Sequence, residues 1–98
     1  MDITKRREGT TLTITATGRL DASSATQLEE AIDDSLEGVE HLVLDFGGVP
    51  YMSSAGLRVV IHAQQVMEQQ GSMEMRNVIP QVMEVFEMTG FDGILNFT

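Results

Sequence analysis

The sequence predicts a single α/β domain: a mixed, mostly parallel β-sheet with helices packed on it, in the order ββαβαβαβ. Three observations carry this. The chain is 98 residues long, with 42% hydrophobic residues, enough for one core and too short for two. Its apolar pattern switches repeatedly between a period of two and a period near 3.6. The strand-like pieces after the first pair are separated by helical ones, and strands joined through helices run parallel.

The first pair is "DITKRR" and "TTLTITA", flanking Glu8-Gly9 as a hairpin, with Leu12, Ile14 and Ala16 on one face. Residues 24–37 change period. Ala25, Leu28, Ile32 and Leu36 form one helical stripe, and Glu29, Glu30, Asp33 and Asp34 fall elsewhere. Ser24 with Gln27 reads as a capping box, and Gly38 as the residue past the helix end. "HLVLDF", residues 41–46, is a near-continuous apolar run. It suits an interior strand covered on both faces or by helices.

Gly47-Gly48 and Pro50 interrupt that run, and a second helix is expected from Ser54 to Gln70, ended by Gly71. Leu57, Val60, Ile61, Ala63 and Met67 supply its apolar face, and Arg58, His62, Gln65 and Gln69 its polar side. "SMEMRNV" is a strand with Met73 and Met75 on one face. Pro80 suits the first turn of a third helix, carried by Ile79, Val82, Met83 and Phe86 and closed by Gly90. "ILNF" reads as a short last strand. Six of the seven methionines follow residue 50, which suits flexible filling of core gaps.

Composition removes several classes of function. Fifteen acidic and six basic residues give a net charge of −9, and the only basic cluster is Lys5-Arg6-Arg7. Phosphate backbones and anionic membrane surfaces need cations, so neither nucleic acid nor membrane is an expected partner. No apolar stretch nears the roughly 18 residues of a membrane span. The first residues hold charges and no apolar signal core. With no cysteine, a disulfide framework and a thiolate metal site are both excluded, and the expected location is the cytoplasm.

The stretch "PYMSSAGLRVV", residues 50–60, holds the best candidate for function. A serine nucleophile needs a base within about 3 Å. The only histidines are His41 and His62; the first falls at the far end of its strand, and the second eight residues beyond Ser54. That spacing is about 12 Å of helical rise, so no catalytic pair forms and no enzyme activity is expected. Neither a P-loop nor a dinucleotide fingerprint is present, so no cofactor is implied, although any helix start attracts anions. Ser53 or Ser54 capping the helix is the plain structural role. An exposed hydroxyl there is also a place where added phosphate meets a favourable dipole and free N–H groups.

Three segments together resemble the STAS-domain family, in particular the small stand-alone anti-sigma factor antagonists of bacterial partner-switching systems. They are Gly18-Arg19-Leu20-Asp21; the apolar strand Leu42 to Asp45 leading to Ser53-Ser54-Ala55-Gly56-Leu57; and Phe86-Glu87-Met88-Thr89-Gly90-Phe91. The resemblance spans nearly the whole chain. It implies that Ser54 is phosphorylated by an anti-sigma factor that is itself a serine kinase, with Ser53 as a lesser candidate. The unmodified form would capture that kinase and free a sigma factor, and a metal-dependent serine phosphatase would reset it. The implied partner surface is Asp21, Ser53, Ser54, Gly56 and Leu57, with no metal ligand; Arg58 and His62, one and two turns from Ser54 on the polar side of the helix, are expected to extend it. Many family members carry Asp immediately before the modified serine, where this chain has Ser53. Two alternatives share the fold: a partner-switching regulator of a non-transcriptional target, such as secretion or a signalling enzyme, and a nucleotide-binding module.

Overall fold

The computed structural model describes residues 1–98. In order the elements are β1 (Asp2–Glu8), β2 (Thr11–Thr17), α1 (Ala22–Asp33), β3 (His41–Gly48), α2 (Ser54–Gln70), β4 (Ser72–Arg76) and α3 (Pro80–Met88), then one 3-10 turn at Phe91–Gly93. The sheet runs β1-β2-β3-β4. β1 and β2 pair antiparallel through the Gly9 turn, whereas β2–β3 and β3–β4 are parallel and joined by α1 and α2. Helical connections thus set the strand directions as the alternating pattern predicts.

Register explains the core. Leu12, Leu42 and Met73 lie side by side across three strands, and Ile14, Leu44 and Met75 form the next row. All six are buried and belong to one cluster of 24 residues. That cluster includes Ala25, Leu28, Ile32 and Leu36 from α1 and its exit, Val60, Ala63 and Met67 from α2, and Val82 and Phe86 from α3. Four of the seven methionines are fully in it, and Met88 is exposed.

The helices cover one face of the sheet only. On the other face Thr11, Thr13, His41, Glu74 and Arg76 surround Val43, which is buried but stands apart from the core cluster. His41 ties this face together: Nδ1 lies 2.6 Å from Ser72 Oγ and Nε2 2.8 Å from Glu74 Oε1. Thr98 Oγ1 donates to the other Glu74 oxygen at 2.6 Å. These bonds, Thr98 first and His41 second, hold the Glu74 carboxyl below its ordinary range.

Three local expectations change. α1 begins at Ala22, two residues before the expected start, because Asp21 is its N-cap and Ser24 is the third residue of that capping box. Ser24 is buried, with its hydroxyl donating to the Arg19 carbonyl at 2.6 Å. α1 also ends at Asp33, so Leu36 reaches the core from a turn, and Gly38 adopts φ +77° in that turn. The expected last strand shrinks to one parallel bridge, Met75 to Phe97. Gly90, at φ +80°, and the 3-10 turn consume the segment before it. Phe97 instead packs its ring edge-on against Phe86, with centroids 5.2 Å apart. α2 spans Ser54–Gln70 as expected. Gly71 closes it because a side chain there would fall on the Glu40 carbonyl.

Candidate functional site

The site arises where β2 and β3 run past the end of the sheet. The backbone pairing continues after both strands: Gly18 N–H donates to Gly48 O at 2.9 Å, Leu20 N–H to Tyr51 O at 2.9 Å, and Ser53 N–H to Leu20 O at 2.8 Å. Leu20 and Met52 form an isolated parallel bridge. The residue after each is a helix N-cap, Asp21 for α1 and Ser53 for α2. Two helix starts are therefore held side by side by one short ladder. This is how tertiary structure joins the Gly18–Asp21 segment to the serine stretch.

Gly56 keeps them close. A Cβ on it would meet Leu20 Cγ at 2.5 Å, Leu20 Cδ2 at 2.7 Å and Met52 Cγ at 2.9 Å. Gly56 is itself buried, and what it contributes here is the close spacing of the two helix starts. Above the ladder, the Arg19 guanidinium stacks over the half-exposed Tyr51 ring at 4.3 Å from the centroid.

The two termini differ in how far they are satisfied. Asp21 Oδ1 accepts from Ser23 N–H at 3.2 Å, Ser24 N–H at 3.1 Å and the Ser23 hydroxyl at 3.0 Å, with Ser24 Oγ also 3.1 Å away, while Asp21 N–H donates back to Ser24 Oγ at 2.9 Å. These bonds, the Ser24 backbone bond foremost, lower the Asp21 pKa to about 2. On α2, Ser53 Oγ accepts a single long bond of 3.4 Å from Gly56 N–H. Ser54, the first helical residue, is exposed. Of the two serines, Ser53 is the one occupied with capping.

Beside Ser54 a shallow groove of about 240 Å³ is lined by Ser54, Leu57, Arg58, Ile61 and Phe91. Its floor is mostly apolar, and its far wall comes from the turn after α3. Met88 and Ile94, on either side of Phe91 along the chain, are 80% and 56% exposed, the most exposed large apolar side chains in the molecule. Tyr51, at 42%, is the third and lies just before the serines. An apolar groove with a polar rim is a common feature of protein-binding surfaces.

Of the residues expected at the site, the fold joins Asp21, Ser53, Ser54, Leu57 and Arg58. His62 lies farther along α2, its Nε2 3.9 Å from Asp33 Oδ1 at the other end of α1. His41 lies at the opposite end of β3 and bonds to β4, so neither histidine serves either serine as a base. Phe91, Ile61, Arg19 and Tyr51 were missed. The Thr89-Gly90 helix stop was a readable signal for the turn that brings Phe91 back, but not for where it would land.

Fold and site together define a small α/β domain with an exposed serine at the start of α2, beside a shallow, mostly apolar groove. The family profile described as "Mlab, STAS domain" matches residues 3–96, and the chain belongs to the STAS-domain family. Among curated proteins it is similar to the putative anti-sigma factor antagonist BtrV of Bordetella bronchiseptica. The two are 40% identical over 79 residues, covering 79% of this chain and 68% of BtrV. Among solved structures it shares the fold of an anti-sigma factor antagonist from Mycobacterium paratuberculosis, with TM-score 0.89 and 18% identity over 98% of this chain and 83% of that one. It also shares that of the Bacillus cell fate determinant SpoIIAA in its phosphorylated form, with TM-score 0.78 and 20% identity over 99% and 91%. No helix is long and apolar enough to cross a membrane.

Proposed function

We propose that this chain is an anti-sigma factor antagonist working by partner switching in the bacterial cytoplasm. In its unmodified form it docks on an anti-sigma factor that is a serine kinase, through the α2 start and the adjoining groove, and so frees a sigma factor. The kinase then transfers the γ-phosphoryl group of ATP to Ser54. The serine oxygen–phosphorus bond forms, the bond to the bridging oxygen of ADP breaks, and the serine proton passes to a base on the kinase. The chain supplies the acceptor and its placement, and no catalytic group. A phosphate of about −1.5 to −2 charge on this face then drives release, and a metal-dependent phosphatase restores the hydroxyl by hydrolysis.

The observation that carries this reading is the exposed Ser54 hydroxyl at the rim of an apolar groove, beside a Ser53 already used as a cap. Kinship with a protein described as a putative anti-sigma factor antagonist supplies the class of partner. The test is intact-mass spectrometry after incubation with a candidate kinase and ATP. Wild type and Ser53→Ala should each gain one phosphoryl group, and Ser54→Ala none. Modification that persists in Ser54→Ala and vanishes in Ser53→Ala would move the switch to the neighbouring serine. Turnover of ATP by the isolated chain would defeat the non-enzymatic reading.

A further inference from the structure

The chain has six cationic side chains, and five of them are engaged. Lys5 Nζ donates to Ser35 Oγ, Arg6 pairs with Glu8, Arg7 donates to the Gly9 and Glu37 carbonyls, and Arg76 faces Glu74 at 3.5 Å. Arg19 stacks over Tyr51. Arg58 is the sixth: exposed, with no ion pair, hydrogen bond or aromatic partner. Glu29 borders the neighbouring α1–α2 cleft together with Arg58 but is not within ion-pairing distance of it.

An unpaired guanidinium in so acidic a chain is informative because of where it sits. Arg58 follows Ser54 by four residues within α2, about 6 Å of rise, so the two side chains share one helix face. Both line the same groove. An anion placed N-terminal to a cation at this spacing is the favourable order, since it also agrees with the helix dipole. Guanidinium presents a planar fork of donors that matches two phosphate oxygens.

We infer that Arg58 is the internal counter-ion of a phosphoryl group on Ser54, so that one modification both adds an anion to the docking face and withdraws its only free cation. This rests on Ser54 being the modified residue. The partner then meets a changed face at two positions one helical turn apart, and the phosphate is held against α2 rather than swinging in solvent.

The test needs no kinase. Phosphoserine is installed at position 54 during translation, and its phosphorus NMR signal is titrated from pH 4 to 8 in wild type, Arg58→Gln and Arg58→Lys. The pair predicts a second phosphate ionisation lower in wild type than in Arg58→Gln by roughly 0.3–0.5 pH unit, as for an exposed ion pair. Arg58→Lys should fall between them, and the gap should shrink at high salt. The Arg58 side-chain Nε–H resonance should move with phosphate ionisation in wild type. Coincident titrations in wild type and Arg58→Gln, with a stationary Arg58 signal, would overturn the inference. Failure of a kinase to modify Ser54 would instead count against the proposed function, and the titration would still report on the pair.

Discussion

The starts of α1 and α2 are neighbours built on one backbone ladder, yet they have opposite chemistry. At α1 a carboxylate fills the terminus: Asp21 takes two backbone N–H groups and the Ser23 hydroxyl, and its own N–H is satisfied in return. At α2 one neutral hydroxyl makes one bond of 3.4 Å, and the next serine stands exposed. The first terminus already holds its negative charge and has nothing left to gain. The second can accept a charge without giving up any strong bond. One end anchors the loops, and the other leaves its first helical residue free at the surface.

The largest effect should come from separating the two starts. Gly56→Ala forces a methyl group into Leu20 and Met52, both buried. Overpacking of this kind costs about 1–3 kcal/mol, read as a lower urea midpoint with an unchanged m-value. An unchanged midpoint would show that the ladder yields easily.

The caps themselves should rank next. Asp21→Ala removes a complete capping box and should lower the melting temperature by several degrees. Ser53→Ala removes one long bond and should cost about 0.5 kcal/mol, the low end for a cap. Thermal melts showing Ser53→Ala as the more damaging change would reverse the contrast drawn between the termini.

The smallest and most specific effect is on acid stability. The Asp21 carboxyl is lowered in the folded protein to about 2, against roughly 3.9 in an unfolded chain. A depressed carboxylate stabilises the fold above its unfolded pKa, and the contribution is lost as pH falls through the folded value. Asp21→Asn keeps a capping oxygen and should flatten that part of the stability curve between about pH 4 and pH 2. Parallel wild-type and mutant curves across this window would show that the charge on Asp21 does not favour the fold.

Much of the molecule was legible before any coordinates. Four strands, three helices and their order follow from where the apolar period switches, and α2 runs from Ser54 to Gln70 as its stripe requires. The start of α1 offered two readings, Asp21 as a turn or cap before the helix and Ser24 with Gln27 as a capping box three residues later, and Asp21 is the cap. Local patterns compete on nearly equal terms, and burial of Ser24 decides between them. The last strand shrinks for a related reason: four apolar-rich residues suffice for a strand pattern, but the Gly90 stop and the 3-10 turn take up the segment before it, leaving one bridge at Phe97, whose ring packs on Phe86.

By itself the sequence determined the α/β class, the parallel pairing that short helical connections impose, the apolar faces and the candidate serine, since these depend on near neighbours along the chain. Only the tertiary structure decided that one face of the sheet stays open, that Leu20 and Met52 bind two helix starts together, and that Phe91 walls the groove beside Ser54. Those facts depend on which distant segments meet. That is settled by the packing of the whole core at once, which no window of residues records.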